Sequence, residues 1–293
     1  MNLTPYLIRG LATGGQFALV AIGYTMVYGI LKLINFAHGD LFMLSGIMMI
    51  YLAASFPTMP MWVTILIMIA LTVFVGFAIE KCAYSPLRTA PRMSVMISAI
   101  GVSYLLENTA TYVTGGQPMT YPTIGILNQT IDIVGTSTKL VVIITPILVL
   151  VLIVLLTQLI NHTKIGMAMR AVSKDFETAR LMGIKINNVI SMTFVIGSAL
   201  AVVGSILYFT TYPAITPTAG AMPGLKAFVA AVFGGIGSIP GAVIGAFIIG
   251  ICENIIKGLG WTTFSDAFTF ALLIIILIVK PTGLFGEKAN EKV

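Results

Sequence analysis

The sequence predicts an all-α fold, a polytopic bundle of helices embedded in a bilayer, with about eight hydrophobic segments and at least one of them broken or re-entrant. Three observations predict it. Of 293 residues, 58% are hydrophobic and 9% charged, with a mean hydropathy of +1.02, whereas a soluble domain carries about 25% charge. Apolar runs without charge recur at lengths near the ~20 residues a helix needs to cross the hydrocarbon core. Of the 16 Lys and Arg, 11 fall in the short segments 81–92, 164–185 and 280–292. That is the loop bias of a membrane protein, not the continuous basic face that binds nucleic acid.

The segments follow in order. Residues 11–31 are 21 positions without a charge, and a polar break follows at 32–40. Residues 41–56 are apolar but short, and 61–79 run charge-free to a basic loop at 80–92. The next span, 93–114, is interrupted by Glu107. A polar loop at 115–138 precedes a span at 140–160 that contains Pro146. The charged stretch 161–185 leads into a span at 189–212 and an uncharged Pro/Thr/Gly loop at 213–223. Residues 227–252 are apolar but cut by glycines; 264–279 is the last span, before a polar tail at 280–293. No domain boundary is visible, so residues 1–293 are expected to form one membrane domain. The N-terminus lacks a basic n-region and cleavage site, so the first run is expected to be retained as a span.

Lysine and arginine set the orientation. The loops 80–92 and 161–185 and the C-terminal tail are basic and expected in the cytoplasm; 115–138 and 213–223 carry no Lys or Arg and are expected outside. Two apolar segments then lie between an outside loop and an inside terminus, where an odd number of crossings is required. A bent pair at 227–252, broken at 234–241, resolves the count. Such a break is tolerated only against protein or a water-filled cavity.

Few residues carry chemistry. Cys82 and Cys252 are far apart and read as small hydrophobes. Asn35, His38 and Asp40 cluster at a chain break. They either cap helix ends and bond backbone carbonyls, or line a polar path, since buried charge in a membrane tends to mark function. Gln16 either lines the path or bonds across helices. Gly234, Gly235 and Gly237 with Ser238 either let helices approach closely or unwind backbone near the path. Glu107 and Glu253 are the remaining acids near membrane depth. The Glu-Asn pairs at 107–108 and 253–254 hint at an internal repeat, for which chance suffices. There is no G-x-x-x-x-G-K-[ST] phosphate loop and no catalytic or metal-ligating constellation. The sequence therefore points to a passage across a bilayer, not an enzyme, and to no cofactor held by this chain.

The segment 163–184 is amphipathic and asks for a partner, with Val172, Phe176, Ala179 and Gly183 spaced as one helix face and Gly166 and Gly183 as punctuation. Its Glu177-Thr178-Ala179, three residues before Gly183, resembles the E-A-A-x-x-x-G loop of ABC importer permeases, with Thr178 in place of alanine. Asn35-Phe36-Ala37-His38-Gly39 is similar to the signature of branched-chain amino acid permeases, the H-type subunit of the pair. Phe233-Gly234-Gly235-Ile236-Gly237-Ser238 resembles a glycine-rich segment of branched-chain amino acid and pentose permeases. The resemblance covers essentially the whole chain and implies a type II ABC importer-like fold in a bacterial inner membrane. It also implies a second related permease subunit, two cytoplasmic ATPases that use ATP and Mg, and an extracytoplasmic solute-binding protein. Arg170, Asp175, Phe176, Glu177, Ala179 and Gly183 are expected to couple to the ATPase. Gln16, Asn35, His38, Asp40, Gly234, Gly235, Gly237 and Ser238 are expected along the substrate pathway. Two rivals have discriminators: an ion-coupled secondary transporter would use intramembrane carboxylates without an ATPase, and a passive channel would not accumulate solute. Permeases for other amino acids, amides or urea share these motifs.

Overall fold

The computed structural model describes residues 3–88, 90–133 and 136–286. Its helices are α1 (Thr4–Leu31), α2 (His38–Ser55), α3 (Met61–Ile79), α4 (Arg92–Thr114), α5 (Leu140–His162), α6 (Lys164–Lys174), α7 (Phe176–Leu181), α8 (Ile186–Thr211), α9 (Ala221–Gly234), α10 (Ile239–Gly258) and α11 (Ser265–Val279). Among the described residues, seven helices are long and apolar enough to cross a membrane. The 23-residue α4 has the length but carries too many polar side chains to join them. Residues 287–293 of the expected cytoplasmic tail lie outside the described residues.

Burial inverts the pattern of a soluble protein. The central helices α1 and α8 are rich in Gly, Ala, Ser and Thr and almost wholly enclosed, while α3, α5 and α11 present bare Phe74, Leu155 and Ile278 to the surroundings. Lipid is as apolar as leucine, so close van der Waals packing of small residues replaces the hydrophobic effect between helices. The tightest case is α1 against α10. A Cβ on Gly250 would lie 2.3 Å from the Gly14 nitrogen, and one on Gly14 would lie 2.7 Å from the Phe247 Cα. These glycines are what lets the two backbones touch.

Two ends are distinct. At one, β1 (Met119–Thr120) pairs antiparallel with β4 (Ala214–Ile215), and β2 (Thr130–Ile133) with β3 (Thr136–Lys139). The loops 115–138 and 213–223, which lack Lys and Arg, thus meet, as a shared side requires. Trp62 and Trp261 stand exposed at this hairpin end, a common place for indole rings at a membrane boundary. The other end carries α6, α7 and the 85–92 loop, where Arg88 donates to Asn187 at the start of α8.

Four differences from the sequence reading have physical causes. The bent pair expected at 227–252 is present as two antiparallel helices joined by a turn at Gly235–Ser238, but it is longer than expected: α9 starts at Ala221 and α10 runs to Gly258. Helix α3 runs on through a π-turn, Glu80–Tyr84, so Glu80 does not open a solvated loop. Its carboxylate is fully buried between Arg88, Lys81 at 3.4 Å and the Ser191 hydroxyl at 2.8 Å. Asp175 splits 163–184 into two helices, so Val172 and Ala179 do not share one helix face, and Gly166 lies inside α6 behind a Thr163 cap. Cys82 is exposed, on the outer side of the α3 π-turn, not buried.

The Glu-Asn pairs do not mark the internal repeat. The geometry shows a different one. α1 runs from the hairpin end to the α6–α7 end, the chain breaks, and α2 starts partway back. α8 runs the opposite way, the chain dips inward through Ile215, and α9 starts partway along. Each long helix is followed by a break and a helix that begins at depth, in opposite senses, as in inverted-repeat transporters.

Candidate functional site

The two partial helices meet start to start. Gly39 in the first turn of α2 lies against Gly220 and Gly224 at the start of α9. A Cβ on Gly220 would stand 2.2 Å from the Gly39 carbonyl oxygen, and one on Gly224 2.8 Å from the Gly39 Cα. The depth of this junction follows from α1. His38 packs on Gly23, eight residues before the end of α1 at Leu31, or about 12 Å along the axis at 1.5 Å per residue. Gly224 lies ten residues before the end of α9, about 15 Å. Both place the junction near the middle of a ~30 Å hydrocarbon core.

A cavity of about 160 Å³ opens beside it, lined by Tyr24, Asp40, Ser103, Glu107, Gly220 and Phe228 among others. Asp40 is 2% exposed, and its carboxylate accepts a hydrogen bond from the Ser103 hydroxyl of α4. Glu107, one turn further along α4, lines the same cavity and is half-buried. Two carboxylates therefore face one small space at mid-depth, beside the starts of two helices, the ends at which the helix dipole is positive.

Asn35 and Asp40 do not cap α2; its N-cap is Ala37, without a side-chain bond. Asn35 instead accepts a 2.8 Å hydrogen bond from the Tyr84 hydroxyl. His38 fills a slot that Gly23 vacates: a Cβ on Gly23 would be 2.0 Å from Nε2. Its ring meets Tyr24 edge-on at 5.1 Å, and Nε2 has no hydrogen-bond partner among the described residues. Gln16 bonds across helices, donating to the Leu207 carbonyl and the Thr211 hydroxyl of α8, both at 3.2 Å.

The glycine segment is not part of this cluster. Gly234, Gly235, Gly237 and Ser238 form the turn at the α6–α7 end. Gly235 and Gly237 take φ of +111° and +101°, which L side chains avoid, and Ser238 caps α10 by accepting from the Gly241 N–H at 3.3 Å. Residues 284–285 close over the turn, donating backbone N–H groups to the Phe233 and Gly234 carbonyls. Its backbone is satisfied by protein, so it serves packing and a tight turn, away from Asp40.

The α6–α7 segment is built for rigidity. Asp175 caps α7 by accepting from the N–H groups of Glu177 and Thr178 and from the Thr178 hydroxyl at 2.7 Å. Thr178, in place of alanine, thus adds a bond to the cap. Gly183 ends α7 at φ +81°, with the Ile184 N–H reaching back to the Ala179 carbonyl, a left-handed cap that favours glycine. No atom lies within 4 Å of the place where its Cβ would be, so backbone conformation, not crowding, calls for glycine. Arg170 donates to the Asn161 carbonyl at 3.2 Å, tying α6 to the end of α5. Ala179 is 3% exposed and faces this chain's own bundle, as does Val172. The barest apolar side chains of the segment are Leu181, 88% exposed, and Met182, 78%, with Met167 and Phe176 exposed to a lesser degree. Sequence reasoning missed Leu181 and Met182 because the split at Asp175 rotates the outward face.

It also missed an ion cluster. Lys226 of α9, in an otherwise apolar helix, lies 2.8 Å from Glu253 of α10 and 2.6 Å from Asp266 of α11; Lys257 is 2.5 Å from Glu253. Glu253 is 2% exposed. The cluster joins the last three helices and accounts for Glu253, whereas Glu107 faces the cavity.

Comparison with known proteins agrees with this architecture. The family described as "Branched-chain amino acid transport system / permease component" matches residues 6–277. The chain is 39% identical over 300 residues to the high-affinity branched-chain amino acid transport system permease protein LivH of Salmonella typhimurium, covering 98% of this chain and 96% of that protein. It is 38% identical to BraD of Pseudomonas aeruginosa, named for the same system, over 98% and 97% of the two chains. The ribose import permease protein RbsC of Escherichia coli is 24% identical over 89% of this chain and 81% of its own length. No solved structure matches. With a family match across nearly the whole chain and near-full-length relatives at 38–39% identity, this multi-pass membrane protein belongs to the branched-chain amino acid transport permease family.

Proposed function

We propose that this chain is one permease subunit of an ATP-driven importer that carries leucine, isoleucine and valine into the cytoplasm across a bacterial inner membrane. It would pair with a second related permease subunit, two cytoplasmic ABC ATPases and an extracytoplasmic solute-binding protein. ATP and Mg would be used by the ATPases, and this chain would hold no cofactor. The observation that carries the reading is the mid-depth junction of α2 and α9, where helix starts and the Asp40 and Glu107 carboxylates line one cavity. A zwitterionic amino acid needs partners of both signs, and this junction offers both. A rigid α7 with bare Leu181 and Met182 supports docking of an ATPase at the α6–α7 end, which would then be cytoplasmic.

The test is reconstitution. The chain alone in vesicles should not take up leucine with internal ATP; the assembled complex with binding protein should. Robust ATP-dependent uptake by the single chain would overturn the subunit reading. A second reading, ion-coupled transport, draws on the same two carboxylates. Uptake driven by a proton gradient without ATP, abolished by an ionophore, would favour it.

A further inference from the structure

At the α6–α7 end a cavity of about 940 Å³ opens between the 85–92 loop, α7 and the start of α8. We infer that this vestibule binds the phosphate of an anionic phospholipid, held by Arg92, Arg180 and Lys185. The three cations come from three separate segments: the first residue of α4, the body of α7 and the residue before α8. Arg88 also lines the space, but Glu80 and Asn187 engage it. Glu177 is the one acid among the lining residues. The side chains of Arg92, Arg180 and Lys185 have no ion-pair or hydrogen-bond partner among the described residues. With three cations against one acid on its walls, the vestibule carries a net positive charge, and an anion relieves the repulsion among the cations.

Two further observations favour a lipid over a soluble anion. The vestibule is half apolar, with Leu31 from the end of α1 and Ile186 from the start of α8 on its walls. It therefore sits where spans end and headgroups lie, and basic pockets between spans at that level suit acidic headgroups. Beside Arg92 an apolar stripe climbs α4: Met93, Ile97, Ile100 and Tyr104 all stand exposed at spacings of four, three and four. An acyl chain whose phosphate sits at Arg92 could follow that stripe toward the membrane centre. The same lipid would contact α7 through Arg180, so the segment expected to meet the ATPase would rest partly on lipid. The inference needs the membrane location, not the transport reading.

The test uses the full-length chain in mild detergent and native mass spectrometry, with phosphatidylglycerol, phosphatidylcholine and glycerol 3-phosphate as probes. Phosphatidylglycerol should be retained in preference to phosphatidylcholine. Each charge removed as Arg92→Gln, Arg180→Gln or Lys185→Gln should weaken retention roughly fivefold, and the triple variant by on the order of a hundredfold. Arg180→Lys keeps the charge and should bind nearly as wild type, which separates loss of charge from loss of fold. Lys174→Gln, at the same end but outside the vestibule, should change nothing. Equal retention of both lipids, or a triple variant that holds phosphatidylglycerol as wild type does, would overturn the proposal. Displacement of the lipid by equimolar glycerol 3-phosphate would also overturn it, assigning the cations to a soluble anion.

Discussion

Adding one methyl group at Gly220 tests the mid-depth junction directly. The new Cβ would stand 2.2 Å from the Gly39 carbonyl oxygen, 2.9 Å from its carbonyl carbon and 2.9 Å from the Met43 Cβ. Favourable non-bonded separations begin near 3.5 Å, so α2 and α9 must part by roughly 1 Å. The oxygen and carbon belong to backbone and cannot swing aside as a flexible side chain could. Overpacking of this kind costs about 1–3 kcal/mol. If that penalty falls on one of two conformational states, it shifts their ratio by roughly 5–150-fold. Gly220→Ala should therefore lower both the melting temperature of the purified chain and leucine uptake by the assembled complex. Gly224→Ala should be milder, with its nearest contact at 2.8 Å, and Gly101→Ala, which meets nothing within 4 Å, should be silent. If Gly220→Ala melts and transports as Gly101→Ala does, the junction is not the tight contact described, and the pathway argued from it fails.

Three other outcomes are expected. Lys226→Met strips buried Glu253 of one of its two lysine partners and should destabilise the chain by up to the ~3–5 kcal/mol of a broken buried pair, with Lys226→Met/Glu253→Gln recovering part of the loss in a thermal melt. Ala179→Asp should unfold or misplace α7 in the isolated chain, whereas Leu181→Asp with Met182→Asp should leave the chain intact and abolish co-purification with the ATPases; the reverse pattern would restore Ala179 to the docking face. In a background lacking Cys82 and Cys252, a single cysteine at Gly125 should react with an impermeant thiol reagent on intact cells and one at Ser173 should not; labelling at Ser173 from outside would reverse the orientation.

Much of the fold was legible because lipid imposes a simple rule on sequence. A run such as 61–79 without a charge can be little else than a span, and basic residues gather at one end. The glycine break also declared itself, since Gly235 and Gly237 interrupt an apolar run too long for one span. What stayed hidden were features set by where a chain stands in depth. Residues 213–223 look like any polar loop, yet Ile215 is 1% exposed against Phe209 and Gly46, and Gly220 reaches Gly39. Glu80 looks like the first residue of a solvated loop because its partners, Arg88 and Ser191, lie 8 and 111 residues away. Asp40 and His38 were visible as oddities, but their neighbours were not: Ser103 comes from α4, and Gly23 matters only through the side chain it omits.

The inverted repeat was invisible for a related reason. The two halves place a helix start at the same depth, but chemistry does not have to match for geometry to match. α2 begins with His38-Gly39-Asp40 and α9 with Ala221-Met222-Pro223-Gly224. The shared requirement is one glycine contact, Gly39 against Gly220 and Gly224, because only bare backbone lets two helix starts meet. Everything else differs in kind: an acid and an imidazole on one side, apolar residues and a proline on the other. That asymmetry suits a path for an asymmetric solute. An acid-bearing start and a neutral one present opposite electrostatic characters to one cavity, and a zwitterion needs such a pair. Two chemically identical halves would give a site that favoured one end of the solute and repelled the other.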